Sequence, residues 1–210
     1  MSKVAMTQGA RAKPAQWLAA TAAAVCLTAW ATGVAADTPS PVHYVLDQAK
    51  STLEFTFTQA GAQNKGKFKR FPVTFDFAPD NPAGGRLDVT VEIASLDTGD
   101  KERDDTLKGD DLFAAAKFPQ AHFLATQFAK TAAGFEAQGK LTIRDQTRDV
   151  RVPFTFRTAV EQGATVGYMS GKTTIRRLDY GVGQGDWKAT DQVGNEVGVT
   201  FALRLTAAAH

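Results

Sequence analysis

Histidine and cysteine, the side chains that most often bind metals or carry nucleophilic chemistry, are few and poorly spaced in this 210-residue chain. Its three histidines, His43, His122 and His210, form neither an HxH nor an HExxH pattern, so the sequence predicts no metal site. Cys26 is the one cysteine, and no G-x-S-x-G nucleophile elbow is present. We therefore expect a protein that is not an enzyme and has no metal or cofactor.

The glycine-rich stretch YGVGQGDW at 180–187 is the segment that most suggests phosphate binding. Its spacing is GxGxG rather than the GxGxxG of dinucleotide-binding loops, and no helical pattern follows it to supply an N-terminus for a phosphate. We interpret it as a tight loop at the rim of the fold, with glycines that adopt positive φ angles.

Acidic residues are concentrated between positions 97 and 111, but they lack the alternating pattern of a calcium loop. Asp100 is suited to cap a short helix over 101–108, which Gly109 would end, and a further turn is expected at 111–117. Because basic residues are interleaved with the acidic ones, we expect a solvated helix with local ion pairs.

Residues 1–36 have the pattern of a secretory signal peptide. Lys3, Arg11 and Lys13 precede an apolar run over 17–30, and small residues continue to Ala36. The run is short for a membrane span, which needs about 20 residues, so a retained anchor is the less favoured alternative. We expect cleavage after Ala36, export to the periplasm, and a single domain over 37–210.

The net charge depends on that leader. It holds three of the 24 basic residues and none of the 22 acidic ones, which leaves 21 bases, 22 acids and a charge of −1 on the rest of the chain. This near-balance gives no basic surplus for binding nucleic acid or an anionic membrane, so we expect no nucleic-acid partner.

Apolar and polar residues alternate with period two along most of the domain, which predicts half-buried strands. Clear segments of this kind are 52–58, 73–77, 87–93, 135–143, 150–157 and 197–205. Clean alternation is typical of antiparallel sheet, and both a sandwich and a closed barrel fit it. The length of the segments favours an all-β, antiparallel barrel of about eight strands with a short helical insertion near 100–117, and such barrels can enclose a small ligand.

The aromatic residues lie mainly on the predicted inward faces. All 14 phenylalanines are in the 37–210 region, whereas Trp187 is its one tryptophan. Periodicity alone does not distinguish a filled core, which any sheet protein needs, from the wall of a hollow barrel.

Several ordered motifs resemble the YceI-like family of exported, lipocalin-like proteins that bind polyisoprenoid lipids. These motifs are YVLDQAKSTLEFTFTQAG, GKFKRFPVTFDF, VEIASLDTGDKERDDTLKGDDLF, GKLTIRDQTRDVRVPF, TTIRRLDYGVG and GNEVGVTFALRL. The resemblance runs from about His43 to Leu205 and implies a lipocalin-like barrel with an elongated apolar pocket for a polyprenyl chain or an isoprenoid quinone.

The resemblance also implies which residues bind the lipid. The predicted tunnel wall is apolar and drawn from most of the strands and from the helical insertion: Phe55, Phe57, Phe75, Phe77, Val89, Val91, Leu107, Leu112, Phe113, Phe118, Phe123, Leu141, Phe154, Phe156, Met169 and Phe201. Relatives often carry histidine where this chain has Gln59-Ala60 and Thr106, so contacts with a lipid head group are expected to differ here.

Some members of the family are associated with b561-type membrane cytochromes, and the resemblance therefore implies an accessory role beside such a cytochrome, with the protein as a periplasmic carrier or store of the lipid. Two alternatives stay open: an enzyme acting on an isoprenoid, and a ligand-free barrel that serves as a protein-interaction or stress-response module. Whether the chain forms a homodimer is also open.

Overall fold

The predicted alternation becomes one antiparallel sheet of eleven strands in the computed structural model, which describes residues 39–208. The strands are β1 (Val42–Leu46), β2 (Thr52–Gln59), β3 (Ala62–Phe68), β4 (Val73–Phe77), β5 (Arg86–Glu92), β6 (Leu96–Asp97), β7 (Gln120–Thr131), β8 (Gly134–Ile143), β9 (Gln146–Glu161), β10 (Ala164–Arg176) and β11 (Val193–Ala207). The α-helix in this range is α1 (Lys101–Lys108). The predicted signal peptide, 1–36, lies outside the described residues.

The sheet closes into a barrel because β1 pairs with both β4 and β11. At one end, β2 pairs with β11 and β3, and β3 pairs with β6. β1 and β2 thus form one long interrupted strand, as do β3 with β4 and β5 with β6. The wall therefore contains eight long strands, which confirms the predicted antiparallel, lipocalin-like barrel.

Three neighbouring strands are interrupted at the same level of the wall. The interruptions are the 3-10 turn Gln48–Lys50, the irregular residues 69–72 and the 3-10 turn Ile93–Ser95. Side chains replace some of the missing ladder bonds there: the Ser95 hydroxyl accepts from the Arg70 amide at 3.0 Å. We call this level the strand break.

β7 shows why alternation did not single out every strand. Its register against β8 shifts between Ala125 and Gln127, a β-bulge that reverses which side chains face inward. Phe123 and Phe128 consequently both point to the interior although they are five residues apart. A strict period of two does not detect a strand of this kind.

α1 begins and ends where the sequence predicts. The Asp100 side chain accepts a hydrogen bond from the Arg103 amide at 3.0 Å, and the Gly109 amide donates to the Thr106 carbonyl oxygen at 3.0 Å. No α1 residue is buried, and Lys101 pairs with Asp105, as expected for a solvated helix. No helix within residues 39–208 is long and apolar enough to cross a membrane.

Candidate functional site

The barrel encloses a cavity of about 180 Å³, which we call the inner cavity. Eight predicted tunnel residues border it: Phe55, Val89, Val91, Phe113, Phe123, Leu141, Met169 and Phe201. Among the described wall residues, Thr173 alone carries a hydroxyl, and that hydroxyl donates to the Arg151 carbonyl oxygen at 3.3 Å. The wall therefore offers dispersion contacts and no uncommitted hydrogen-bonding side chain.

A second cavity of about 310 Å³, the mouth cavity, adjoins the first beside α1. Both cavities are bordered by Phe55, Phe113, Ile143, Ile175 and Val197, which form a shared neck. Thr173 is the one polar residue among the described walls of the inner cavity, whereas the mouth cavity is bordered by Gln59, Asp100, Glu102, Arg103, Thr106 and Arg177. The site is thus apolar inside and polar at its opening.

Three predicted tunnel residues border the mouth cavity but not the inner one, namely Phe57, Leu107 and Leu112. Leu107 lies on α1 and Leu112 on the turn that follows it. The two positions where the sequence departs from the family pattern, Gln59 and Thr106, border the same cavity. α1 therefore contributes to the mouth rather than to the interior, whereas Phe113, on the turn that follows it, borders both cavities.

The neck stays open partly because of a glycine beneath an aromatic ring. Phe55 on β2 lies directly opposite Gly66 on β3. A Cβ atom at position 66 would lie 2.3 Å from Cζ of Phe55, so the ring occupies the space that any side chain there would need. The absence of a side chain lets the ring lie against the wall instead of across the opening.

The other end of the barrel is filled by an aromatic plug, which we define as Tyr44, Phe75, Phe77, Phe128, Phe135, Phe154 and Phe156. Phe75 and Phe77 are 0 % exposed, and their ring centroids lie 4.8 Å apart. Edge-on and stacked contacts between rings from facing strands leave no room for a ligand here.

Phe75, Phe77, Phe154 and Phe156 were expected to line the tunnel, and this expectation is corrected: they border neither the inner cavity nor the mouth cavity. The alternation correctly predicted that their side chains face inward, but it contains no information about how deep along the barrel they lie. Their rings meet at the closed end and pack against one another.

Phe118 also lies away from both cavities. It follows the turn after α1 and is half-buried, with the Lys117 ammonium 5.1 Å and the Arg144 guanidinium 5.5 Å from its ring centroid. These cation–π contacts hold it on the outer rim. Its expected place in the tunnel wall is therefore corrected as well.

The glycine-rich loop lies at the mouth, as predicted, and wraps around Arg177. Gly183 has a φ of +112°, and a Cβ there would lie 1.8 Å from Nη1 of Arg177. The amides of Gly183 and Gln184 donate to the Asp111 carbonyl oxygen at 2.9 and 2.7 Å, which ties the loop to the segment after α1. Burial lowers the pKa of the Arg177 guanidinium below its usual range.

The two described histidines lie on the outer wall. Nδ1 of His43 is 2.5 Å from Oδ1 of Asp76, and Nε2 of His122 is 2.7 Å from Oδ1 of Asp88. Both rings are more than 40 % exposed. Within the part of the chain that the structure describes, no three histidine, cysteine, aspartate or glutamate side chains are grouped to hold a metal.

Several site residues were not singled out from the sequence. Val197 and Val199 lie on a predicted strand, so their inward position was available from the alternation, although they were not assigned to the tunnel. Arg177 and Ile175 lie in a segment whose alternation is blurred. A single sequence contains no signal that an arginine there is buried.

The chain matches known proteins in both sequence and fold. The family model described as the YceI-like domain matches residues 44–205. A UPF0312 protein of Photorhabdus laumondii is 40% identical over 85 residues, which cover 40% of this chain and 44% of that relative. The match thus spans less than half the length of this curated relative.

Two solved structures extend the comparison over most of the chain. BcnA of Burkholderia cenocepacia is 35% identical, with a TM-score of 0.70 over 76% of this chain and 98% of that one. A polyisoprenoid binding domain from Saccharophagus degradans implicated in plant cell wall breakdown is 17% identical, with a TM-score of 0.58 over 80% and 99%, and shares the fold. With the family model matched over nearly the entire barrel, the chain belongs to the YceI-like family.

Proposed function

We propose that this protein binds an isoprenoid lipid, a polyprenyl chain or an isoprenoid quinone, and carries or stores it. The observation that carries the proposal is the order of the two cavities: an apolar inner cavity continues through the neck into a polar mouth cavity. A lipid with a long apolar tail and a small polar head matches this order.

The energetics favour an apolar guest. Removing apolar surface from water stabilises a complex by about 25 cal/mol per Å². A cavity of about 150 Å³ with comparable walls is known to stay dry and to accept an apolar guest, and the inner cavity has about 180 Å³. Typical ligand pockets measure about 300–1,000 Å³, so we expect the tail to occupy both cavities.

Binding rather than catalysis fits the interior. Proton transfer or nucleophilic attack needs a polar side chain within hydrogen-bond distance of the reacting atoms. The described walls of the inner cavity contain one hydroxyl, and it is committed to a backbone carbonyl. Dispersion contacts to methyl-branched units impose little selectivity for chain length.

The comparisons support the same ligand class through the fold and the family. A structural neighbour is a polyisoprenoid binding domain, and the chain belongs to the YceI-like family. Because the identity to that neighbour is low, it supports the ligand class through the shared fold alone. The order of the cavities, in contrast, is a property of this chain.

The cellular setting is part of the proposal. A signal peptide over 1–36 would deliver the barrel to the periplasm, where a free isoprenoid chain is insoluble in water. A carrier of this kind would exchange lipid with a membrane partner, for which a b561-type cytochrome is our candidate. Lipid carriage requires neither a metal nor a further cofactor.

Native mass spectrometry on protein purified from its host under mild conditions tests the proposal. We expect a stoichiometric added mass that organic extraction assigns to an isoprenoid lipid. Protein without added mass that also takes up no quinone or polyprenol from micelles would contradict the proposal. Steady conversion of the extracted lipid during incubation would instead support an enzyme.

A further inference from the structure

Arg177 is an unusual residue for the mouth of a lipid-binding cavity. It directly follows β10, borders the mouth cavity and is 4 % exposed. Its guanidinium donates to three backbone carbonyl oxygens, those of Val182 at 2.9 Å, Val193 at 2.7 Å and Gly194 at 3.0 Å. Among the described residues, no carboxylate lies within 4 Å of it in an ion pair.

These partners leave part of the guanidinium's capacity unused. Each guanidinium nitrogen of Arg177 already donates to one carbonyl oxygen, and of the five N–H donors of a guanidinium the second N–H of Nη1 and that of Nη2 remain. Buried charges are normally paired with an opposite charge because removing them from water is costly. A buried cation with spare donors at the border of a cavity therefore points to an acceptor that arrives from outside the chain.

The charge around the mouth limits what that acceptor is. Asp100, Glu102, Arg103 and Arg177 all border the mouth cavity, and their formal charges cancel. Arg103 is itself 3.8 Å from a carboxylate oxygen of Asp100. An arriving group with several negative charges would meet two carboxylates as well as two guanidinium groups. The mouth thus suits an uncharged oxygen acceptor.

We propose that Arg177 is a specificity-determining residue that donates a hydrogen bond to an uncharged oxygen, a hydroxyl or a carbonyl, on the head of the bound isoprenoid. The Gly183 backbone lies against the guanidinium and holds it in place before the ligand arrives, so little side-chain entropy is lost on binding. This inference rests on the proposed function, because it assumes that the tail fills the cavities.

Three ligands with the same C20 isoprenoid chain test it on the unmodified exported protein: the alcohol geranylgeraniol, its monophosphate, and the hydrocarbon without the hydroxyl. Competition against a fluorescent isoprenoid gives the three dissociation constants. We expect the alcohol to bind at least about tenfold more tightly than the hydrocarbon, since a hydrogen bond from a charged donor is worth that much. The monophosphate should bind no more tightly than the alcohol.

The outcomes separate the two proposals. Equal affinity for alcohol and hydrocarbon overturns the role of Arg177 while the lipid-binding function stands. A monophosphate bound more than about tenfold more tightly than the alcohol overturns the assignment to an uncharged head. Failure of all three ligands to bind overturns both proposals.

Arg177→Met then tests the residue, with Arg176→Met as its matched control, because Arg176 is adjacent and its side chain is 64% exposed. We expect Arg177→Met to abolish the difference between alcohol and hydrocarbon and to leave the hydrocarbon affinity unchanged. A loop-stabilising role alone would weaken both ligands equally. If Arg177→Met does not fold, side-chain ¹⁵N NMR of the unmodified protein tests the proposal instead. We expect the Arg177 signals to shift when the alcohol binds and not when the hydrocarbon binds. Unchanged Arg177 signals with the alcohol would overturn the proposal.

Discussion

The closed end and the mouth end of this barrel share one sequence pattern and differ in what it produces. In both, aromatic and aliphatic side chains alternate with polar ones. At the closed end, seven aromatic rings from facing strands meet and fill the interior. Toward the mouth, valines and a glycine face the rings, and a cavity remains. Residue volume summed across facing strands, rather than hydrophobicity, decides whether a barrel is filled or hollow.

The largest expected effect comes from one substitution made in each half. Phe77→Ala should cost about 3–5 kcal/mol of unfolding free energy, because the Phe77 ring contacts several others and a cavity would replace it. Phe123→Ala should cost only about 1–2 kcal/mol, because that ring already borders empty space. Urea denaturation of both variants measures the difference, and equal losses would contradict the contrast between the two halves.

Filling the hollow half should separate ligand uptake from stability. Val199 borders the inner cavity, and Val199→Trp places a ring in it. We expect lipid affinity to fall at least about tenfold while unfolding free energy changes by less than about 1.5 kcal/mol, because the added atoms occupy space that is already empty. Thr200→Trp, its exposed neighbour on the outer face, is the control and should leave affinity unchanged.

A smaller effect is expected at the neck. Gly66→Ala would bring a methyl group against the Phe55 ring and displace the ring into the shared opening of the two cavities. We expect lipid uptake from micelles to slow several-fold, with folding retained. Lys65→Ala, on the outer face of the same strand, should leave the rate as it is, and an unaltered rate in Gly66→Ala would show that Phe55 does not control the opening.

The smallest expected effect is electrostatic, and each half of the barrel contains one carboxyl group that contributes to it. Near the mouth, hydrogen bonds from the Lys69 side chain and the Gly99 amide lower the pKa of Asp97. At the tip of the β9–β10 hairpin, hydrogen bonds from Tyr168 and Arg204 lower the pKa of Glu161. A carboxyl group whose pKa is lower in the folded than in the unfolded protein stabilises the fold at pH values above its unfolded pKa, which is near 4. This stabilisation is lost as the pH falls through the folded-state pKa.

Thermal unfolding between pH 6 and pH 3 measures this dependence. Asp97→Asn and Glu161→Gln should each flatten the fall in melting temperature below about pH 4 by a small amount. If both variants keep the full dependence of the unmodified protein, other carboxyl groups control its behaviour in acid.

The sequence was sufficient for the barrel and for the direction of most side chains. Asp100 and Gly109 marked the ends of α1, and the alternation in 52–58 and 197–205 turned the correct residues inward. Depth was not predictable, because Phe57 and Phe77 have the same local pattern and lie at opposite ends of the interior. The environment of Arg177 depends on a loop that returns from 182–194, a contact that no local pattern encodes.

The strand break gives the barrel a compliant side. A continuous antiparallel ladder resists stretching. At the strand break the regular ladder gives way to isolated backbone bonds, such as those from Lys69 to Ser95 and from Glu92 to Arg70, and to side-chain bonds from Ser95 and Gln48, so the strands can separate there at lower cost. The inner cavity is small for a long lipid tail, and Phe71 and Ile93, which belong to the strand break, are nearly fully buried and border that cavity. We expect the barrel to expand at this level when a lipid tail occupies it. The strands would separate at the strand break, while the aromatic plug stays rigid. Faster amide exchange in the empty protein around 69–72 and 93–95 than along β8–β10 would be the signature of that asymmetry.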